Sequence, residues 1–424
     1  MTIGLAQAMW SFRTYRRAPS WYGLYSESLG ARSPEACADV IERFLALWND
    51  GHASLLYFPG VRHTVPPIAL RSQSEELQKI PGERPPPPRV YVVARDTADE
   101  ALRMIQPGSE LLAVDSIPVD TLYPAVRERV SGSTLQWRDY ICDQRLLAGP
   151  AGTEVELTLR DLSGTTNVVR VSRPPYPEQE EVRKSIVSLY RDPSLIATWT
   201  ELEGGWGHIQ LSTFAAESLR IVVDAFDQAL DSVFTLPGLI LDLRGNGGGY
   251  LDAMTEIAGR FLAEETTFGF YQRRERGEDV DFEPWDPATA TDTLRTAVTA
   301  TPREPIYRGP VVIIIDRACF SACEGFAGAL QSLGRLFLVG EATGGGSGVS
   351  GFVGLPSGAI VSFSWSVFWL PDGRMIEGQG VLPDVYVRGR PQDWAVGLDR
   401  VLERAIRALE QGEPPQLSEA VERD

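Results

Sequence analysis

The feature that most limits what this chain can fold into is residues 311–347, VVIIIDRACFSACEGFAGALQSLGRLFLVGEATGGGS. Val311 to Ile315 is a continuous β-branched run, which marks a strand buried on both faces. A tight connection follows Asp316, and beyond it Phe326, Ala327 and Leu330 recur at helical spacing until Gly334. Ser321 therefore falls at a strand-to-helix junction, at or just before the first helical turn. Backbone N–H groups without helical partners and the positive end of the helix dipole converge there, and both favour an anion. A serine hydroxyl in that place has a ready site for the oxyanion of an acyl-transfer intermediate, with the Ala322 N–H as one donor. Taken alone, the stretch also describes a serine that simply caps the helix.

The chain has 424 residues, enough for two or three domains with separate cores. A net charge of −17 argues against a nucleic-acid partner or an anionic membrane surface. Of the 40 basic residues two are lysine, Lys79 and Lys184, and the rest are arginine. Cys37, Cys142, Cys319 and Cys323 match no metal spacing and read as free, small hydrophobic residues, which leaves the compartment open. No run is long and apolar enough for a membrane span, and MTIGLAQAMWSFRTYRR lacks the apolar core of a signal peptide.

Residues 1–64 read as an N-terminal helical region. Val40, Ile41, Phe44, Leu47 and Trp48 form one face of a helix that stops at the turn pair Asp50-Gly51, with His52 next and a strand over 53–58. Residues 65–89, ending in Pro85–Pro88, read as a semi-rigid linker. Residues 90–178 form a β-rich unit with strands near 90–93, 110–114, 155–159 and 167–171 and one helix near 122–130. From 179 to 424 strands and helices alternate, which predicts an α/β core closed by an amphipathic helix through Leu398, Val401, Leu402, Ala405 and Leu409. Residues 264–308 read as a polar, irregular excursion.

Two strand exits, LILDLRGNGGG and DRACFSACEGFAGAL…GRLFLVGEATGGG, together with EGQGVLPD at 377–384, resemble the C-terminal-processing (tail-specific) serine peptidase family. Asp242, Arg244, Asn246, Gly248 and Gly249 fit the family's first motif, and Ser321, three residues before Glu324, fits its nucleophile. The resemblance implies a Clp-protease/crotonase-like α/β catalytic core. The segment IQPGSELLAVDSIPV gives the inserted β-rich unit the look of a PDZ-like domain, of the kind that takes up an extended peptide as an added strand. Such a unit would recruit or gate a peptide terminus, so its removal would change substrate choice more than the reactivity of Ser321.

One departure bears on mechanism. Many members of the family use a Ser–Lys dyad, the lysine closing a Gly-Glu-x-Thr-x-Gly-Lys loop; here Gly346 stands in its place, in Gly340-Glu341-Ala342-Thr343-Gly344-Gly345-Gly346. The tricorn-like branch offers another base, because its members carry a histidine in an Asp-Gly-His context and an acidic residue late in the core. Asp50-Gly51-His52 and Glu377 fit that pattern. The set implied is Ser321 as nucleophile, His52 as general base and Glu377 as orienting carboxylate, with Asp50 as its rival. The Ala322 N–H and a backbone N–H from Gly247 or Gly248 would form the oxyanion hole. His63 and His208 read as bystanders. Asp242, Arg244 and Asn246 would shape the strand-exit loop.

The function implied is a serine endopeptidase acting on a protein or peptide, with no metal, no organic cofactor and room for homo-oligomers. The rivals are an inactive binding protein on the same scaffold and a crotonase-like acyl-thioester enzyme, which needs no nucleophilic serine.

Overall fold

A computed structural model describes residues 21–74, 87–177, 193–274 and 293–415. Its centre is a six-stranded sheet: Ala197–Glu201, Gly207–Leu211, Leu239–Asp242, Val311–Ile315, Phe337–Gly340 and Val385–Tyr386, side by side in that order. The first pair is antiparallel and the rest parallel. All five residues of Val311–Ile315 are buried, as a strand covered on both faces requires. On one face pack the helices Leu219–Val233, Leu251–Ala258 and Ala322–Ser332, through Val222, Phe226, Met254 and Phe326. Ile240, Val312 and Ile314 turn to the other face, against Val401, Ala405 and Leu409 of the helix Arg400–Glu410. This is the predicted α/β core, with the junction serine where its central parallel strand gives way to a helix.

The N-terminal region meets the core through a small sheet. Helix Pro34–Ala46 packs Phe44 and Leu45 with Ala53, Val361 and Phe363, and the strand Ser54–Tyr57 pairs with Ile360–Ser364. That pairing carries the Asp50–His52 turn more than 300 residues along the sequence to the core. Residues 1–20 of the region lie outside the described residues.

The β-rich unit is an antiparallel sheet of Ile68–Gln73, Arg89–Arg95, Glu110–Val114, Glu154–Arg160 and Thr166–Ser172. Its first strand comes from the stretch read as linker, of which residues 75–86 lie outside the described residues. The longer helices packed on it are Val119–Arg127, close to the one expected, and Leu135–Arg145, which was not foreseen. The excursion at 264–308 is also more regular than expected. Strands Thr266–Arg274 and Thr293–Ala300 pair with each other, and the first pairs with Val367–Trp369; residues 275–292 lie outside the described residues. No helix among the described residues is long and apolar enough to cross a membrane.

Candidate active site

Ser321 opens the helix Ala322–Ser332 with φ 57° and ψ −119°, a conformation that side-chain-bearing residues rarely adopt. Such backbone costs on the order of 1–3 kcal/mol and persists only where its surroundings over-determine it. Here they do. The Ser321 N–H donates to Gly346 O and to Glu324 Oε2, both at 3.0 Å, while Phe320 N–H donates to Asn246 O at 3.0 Å. Glu324 is fully buried and gathers the surrounding loop. Besides Ser321 N–H it accepts Gly345 N–H at 2.6 Å, Gly346 N–H at 2.9 Å and the Thr343 hydroxyl. Burial pushes its carboxyl up to about 8, against the pull of those donors. Glu324, in sequence only a motif position, ties the serine turn to the glycine loop.

Cys319 and Cys323 are joined by a disulfide, with 5.5 Å between their Cα atoms, so two of the four cysteines expected to be free are not. The chain turns into the helix between them and brings residues four apart within reach. Cys37 and Cys142 are free. The disulfide brackets Ser321 and leaves it as the only nucleophilic side chain of that turn.

The backbone amides expected to hold an oxyanion differ in their partners. Among the described residues Ala322 N–H has no partner, as the first N–H of a helix should not. Gly248, however, donates its N–H to Asn246 Oδ1 at 2.9 Å, so the expectation that it serves the oxyanion is corrected. A Cβ on Gly248 would lie 2.8 Å from Ala322 N and 2.9 Å from Ser321 Cβ, so the glycine is needed for close approach to the serine. Gly247 is exposed, and among the described residues its N–H has no partner and a Cβ there would meet open space. Asp242, Arg244 and Asn246 shape this loop as expected. Arg244 forks onto Asp242 and Asp399, and Asn246 Nδ2 donates to Leu211 O.

His52 reaches the site over the ring of Phe320, the residue before Ser321, with ring centroids 4.7 Å apart. Its Nδ1 lies 3.1 Å from Ser364 Oγ, and Ser364 Oγ–H donates to Asp50 Oδ1 at 2.8 Å. A hydroxyl has one proton, and this one goes to Asp50, so the oxygen can only accept from His52 Nδ1–H. The arrangement selects the tautomer with a lone pair on Nε2. Asp50 is 1% exposed and also accepts His52 N–H at 2.9 Å and Ser364 N–H at 2.7 Å. Ser364 had no signal in the sequence; it is found only because the strand 360–364 pairs with 54–57. Glu377 is buried, with its Oε2 accepting Ser347 N–H at 3.1 Å beside the glycine loop. His208, on the strand Gly207–Leu211, is 3.7 Å from Asp242, and His63 pairs in a short strand with Pro150. Among the described residues no group of side chains could hold a metal ion.

The fold and this junction place the molecule in the class of α/β proteins with a Clp-protease/crotonase-like core and a β-rich insertion. Residues 205–387 match the model of Peptidase family S41. A carboxyl-terminal-processing protease of Synechocystis sp. (strain PCC 6803) is 28% identical over 297 residues, 70% of this chain and 57% of the relative. Another, of Picosynechococcus sp. (strain PCC 7002), is 30% identical over 190 residues, 45% and 41%. The solved structure of mature CPAF shares the fold with a TM-score of 0.70 at 16% identity, covering 98% of both chains. Over residues 205–387 the chain is thus similar to Peptidase family S41, and the relatives it resembles are carboxyl-terminal-processing proteases. It spans little more than half the length of the first relative and less than half of the second.

Proposed function

We propose that this chain is a serine endopeptidase that cuts extended polypeptides through an acyl-enzyme at Ser321. The observation that carries the reading is the strained serine turn, its Ala322 N–H unpartnered, built beside a histidine whose Nδ1 is held by an acceptor. His52 Nε2 takes the Ser321 proton as Oγ adds to the scissile carbonyl carbon. The Ala322 N–H, with Gly247 N–H, holds the oxyanion. The imidazolium then protonates the leaving amine, and water hydrolyses the ester by the reverse route. Asp50, acting through Ser364, supports the imidazolium. Glu377 is assigned the second carboxylate position, bracing Ser347 and the loop beside it. The strand Ser350–Gly354, at the edge of the sheet that carries Ser364, has no second partner strand among the described residues and so offers an edge to an extended peptide.

Intact-mass labelling with a fluorophosphonate tests this. One adduct is expected on wild type and none on Ser321→Ala or His52→Ala. Asp50→Asn and Ser364→Ala are expected to slow labelling more than Glu377→Gln does; the reverse order would return the orienting role to Glu377. A folded wild type that takes no label, with or without a peptide mixture present, would favour the binding protein.

A further inference from the structure

The residue before the nucleophile is enclosed in an unusual way. The Phe320 ring is in contact with two other rings: His52, and Trp137 of the β-rich unit, stacked at 3.8 Å and 14° from parallel. Three glycines close in around it. A Cβ on Gly51, Gly344 or Gly346 would fall 2.5, 2.6 or 2.1 Å from Phe320 ring carbons. Phe320 therefore has no room to swing while Trp137 is in place, and His52 rests on it.

Trp137 is itself held by the catalytic loops. Its helix, Leu135–Arg145, is capped by Thr134, whose Oγ1 accepts Trp137 N–H at 3.2 Å and donates to Gly344 O. Ser133 Oγ donates to Gly345 O at 2.5 Å, and Gln136 Nε2 to Thr343 O at 3.0 Å. On the other side Ser131 Oγ accepts Asp50 N–H at 3.1 Å and donates to Asp50 O at 2.8 Å. One short segment of the β-rich unit thus grips both the loop behind Ser321 and the turn that bears His52.

Resting on the reading of Ser321 and His52 as the reacting pair, we propose that Trp137 is a positioning residue for His52, acting through Phe320. Without the indole, the space beneath Phe320 opens, the phenyl ring settles into it, and the imidazole loses the surface that aims Nε2 at Ser321. The β-rich unit is then a wall of the reaction site.

The test uses the full chain with Trp137→Ala, Trp137→Leu and Trp137→Phe, each compared with wild type for thermal melting, fluorophosphonate labelling rate, and kcat and KM on a short peptide ester. Misplacing a reacting group by about an ångström costs up to about a hundredfold, so Ala and Leu are expected to lower kcat and labelling by about ten- to a hundredfold with KM unchanged, and Phe to stay within about threefold of wild type. If the Ala variant does not fold, the Leu and Phe pair decides, since Leu keeps apolar bulk and Phe keeps a planar ring. Labelling of folded Trp137→Leu at the wild-type rate would overturn the proposal and leave the site reading standing. So would a rise in KM with kcat intact, or Phe as slow as Leu. Wild type that takes no label at Ser321 would overturn both.

Discussion

Ser321 keeps a positive φ without being glycine, and the energy stored there should be measurable. Ser321→Gly is expected to be more stable than Ser321→Ala by about 1–2 kcal/mol in denaturant titration, because only the glycine is released from the left-handed penalty. Neither variant should take the fluorophosphonate. Glu324 makes a second residue-level prediction. Its carboxyl is raised from 4.5 to about 8 by burial, so between those values the folded chain binds a proton that the unfolded chain has lost. Its contribution to stability is therefore full below pH 4.5 and is lost as pH rises through about 8. Against Glu324→Gln, which cannot titrate, wild type should lose melting temperature over that window; parallel curves would refute this. Ser321 and the Asp50-Gly51-His52 turn were visible in sequence because each sits at a break in a hydrophobic pattern. Ser364 was not, because a serine facing a buried carboxylate looks like any strand serine until the strand has a partner.

At the scale of elements, the glycine loop shows what became of the missing lysine. Gly346 occupies the position where a lysine closes the loop in many relatives, and the space its side chain would enter is filled by the Phe320 ring. Gly346→Lys should therefore not restore a lysine base. Even Gly346→Ala is expected to cost about 1–3 kcal/mol by overpacking and to slow labelling of Ser321, both checked on one protein sample by melting and by intact mass. The parallel strands and the helices between them were readable because continuous β-branched runs and 3.6-residue periodicity coincide with real burial. The helix Leu135–Arg145 was not, because its buried face carries Asp139, Cys142 and Asp143 and so lacks an apolar stripe. The same mismatch hid the hairpin of 266–274 and 293–300, much of whose second strand is exposed and polar.

Over the whole molecule, the β-rich unit is joined to the core by buried charge. Arg317, four residues before Ser321, pairs with Asp143, which also accepts Ser72 N–H at 2.7 Å and the Tyr123 hydroxyl at 3.0 Å. Arg317 Nη1 donates to Ser72 Oγ at 2.9 Å. Asp143→Ala leaves the guanidinium buried without its counter-charge, a change expected to cost about 3–5 kcal/mol, read as a fall in the denaturant midpoint. The sequence leads one to expect a detachable unit whose loss alters substrate choice. These contacts lead instead to the expectation that deleting 90–173 abolishes labelling of Ser321. The order of regions along the chain was legible, but their interlock was not, since it rests on polar side chains scattered over 245 positions between Ser72 and Arg317.

The disulfide between Cys319 and Cys323 gives Ser321 a chemical history. A chain folded among thiol reductants would carry two sulfhydryls astride Ser321, where an oxidised chain carries a closed ring of five residues. Two preparations with the same sequence would then be two different reagents. Alkylation under denaturing conditions would tell them apart, modifying Cys37 and Cys142 alone in one and all four cysteines in the other.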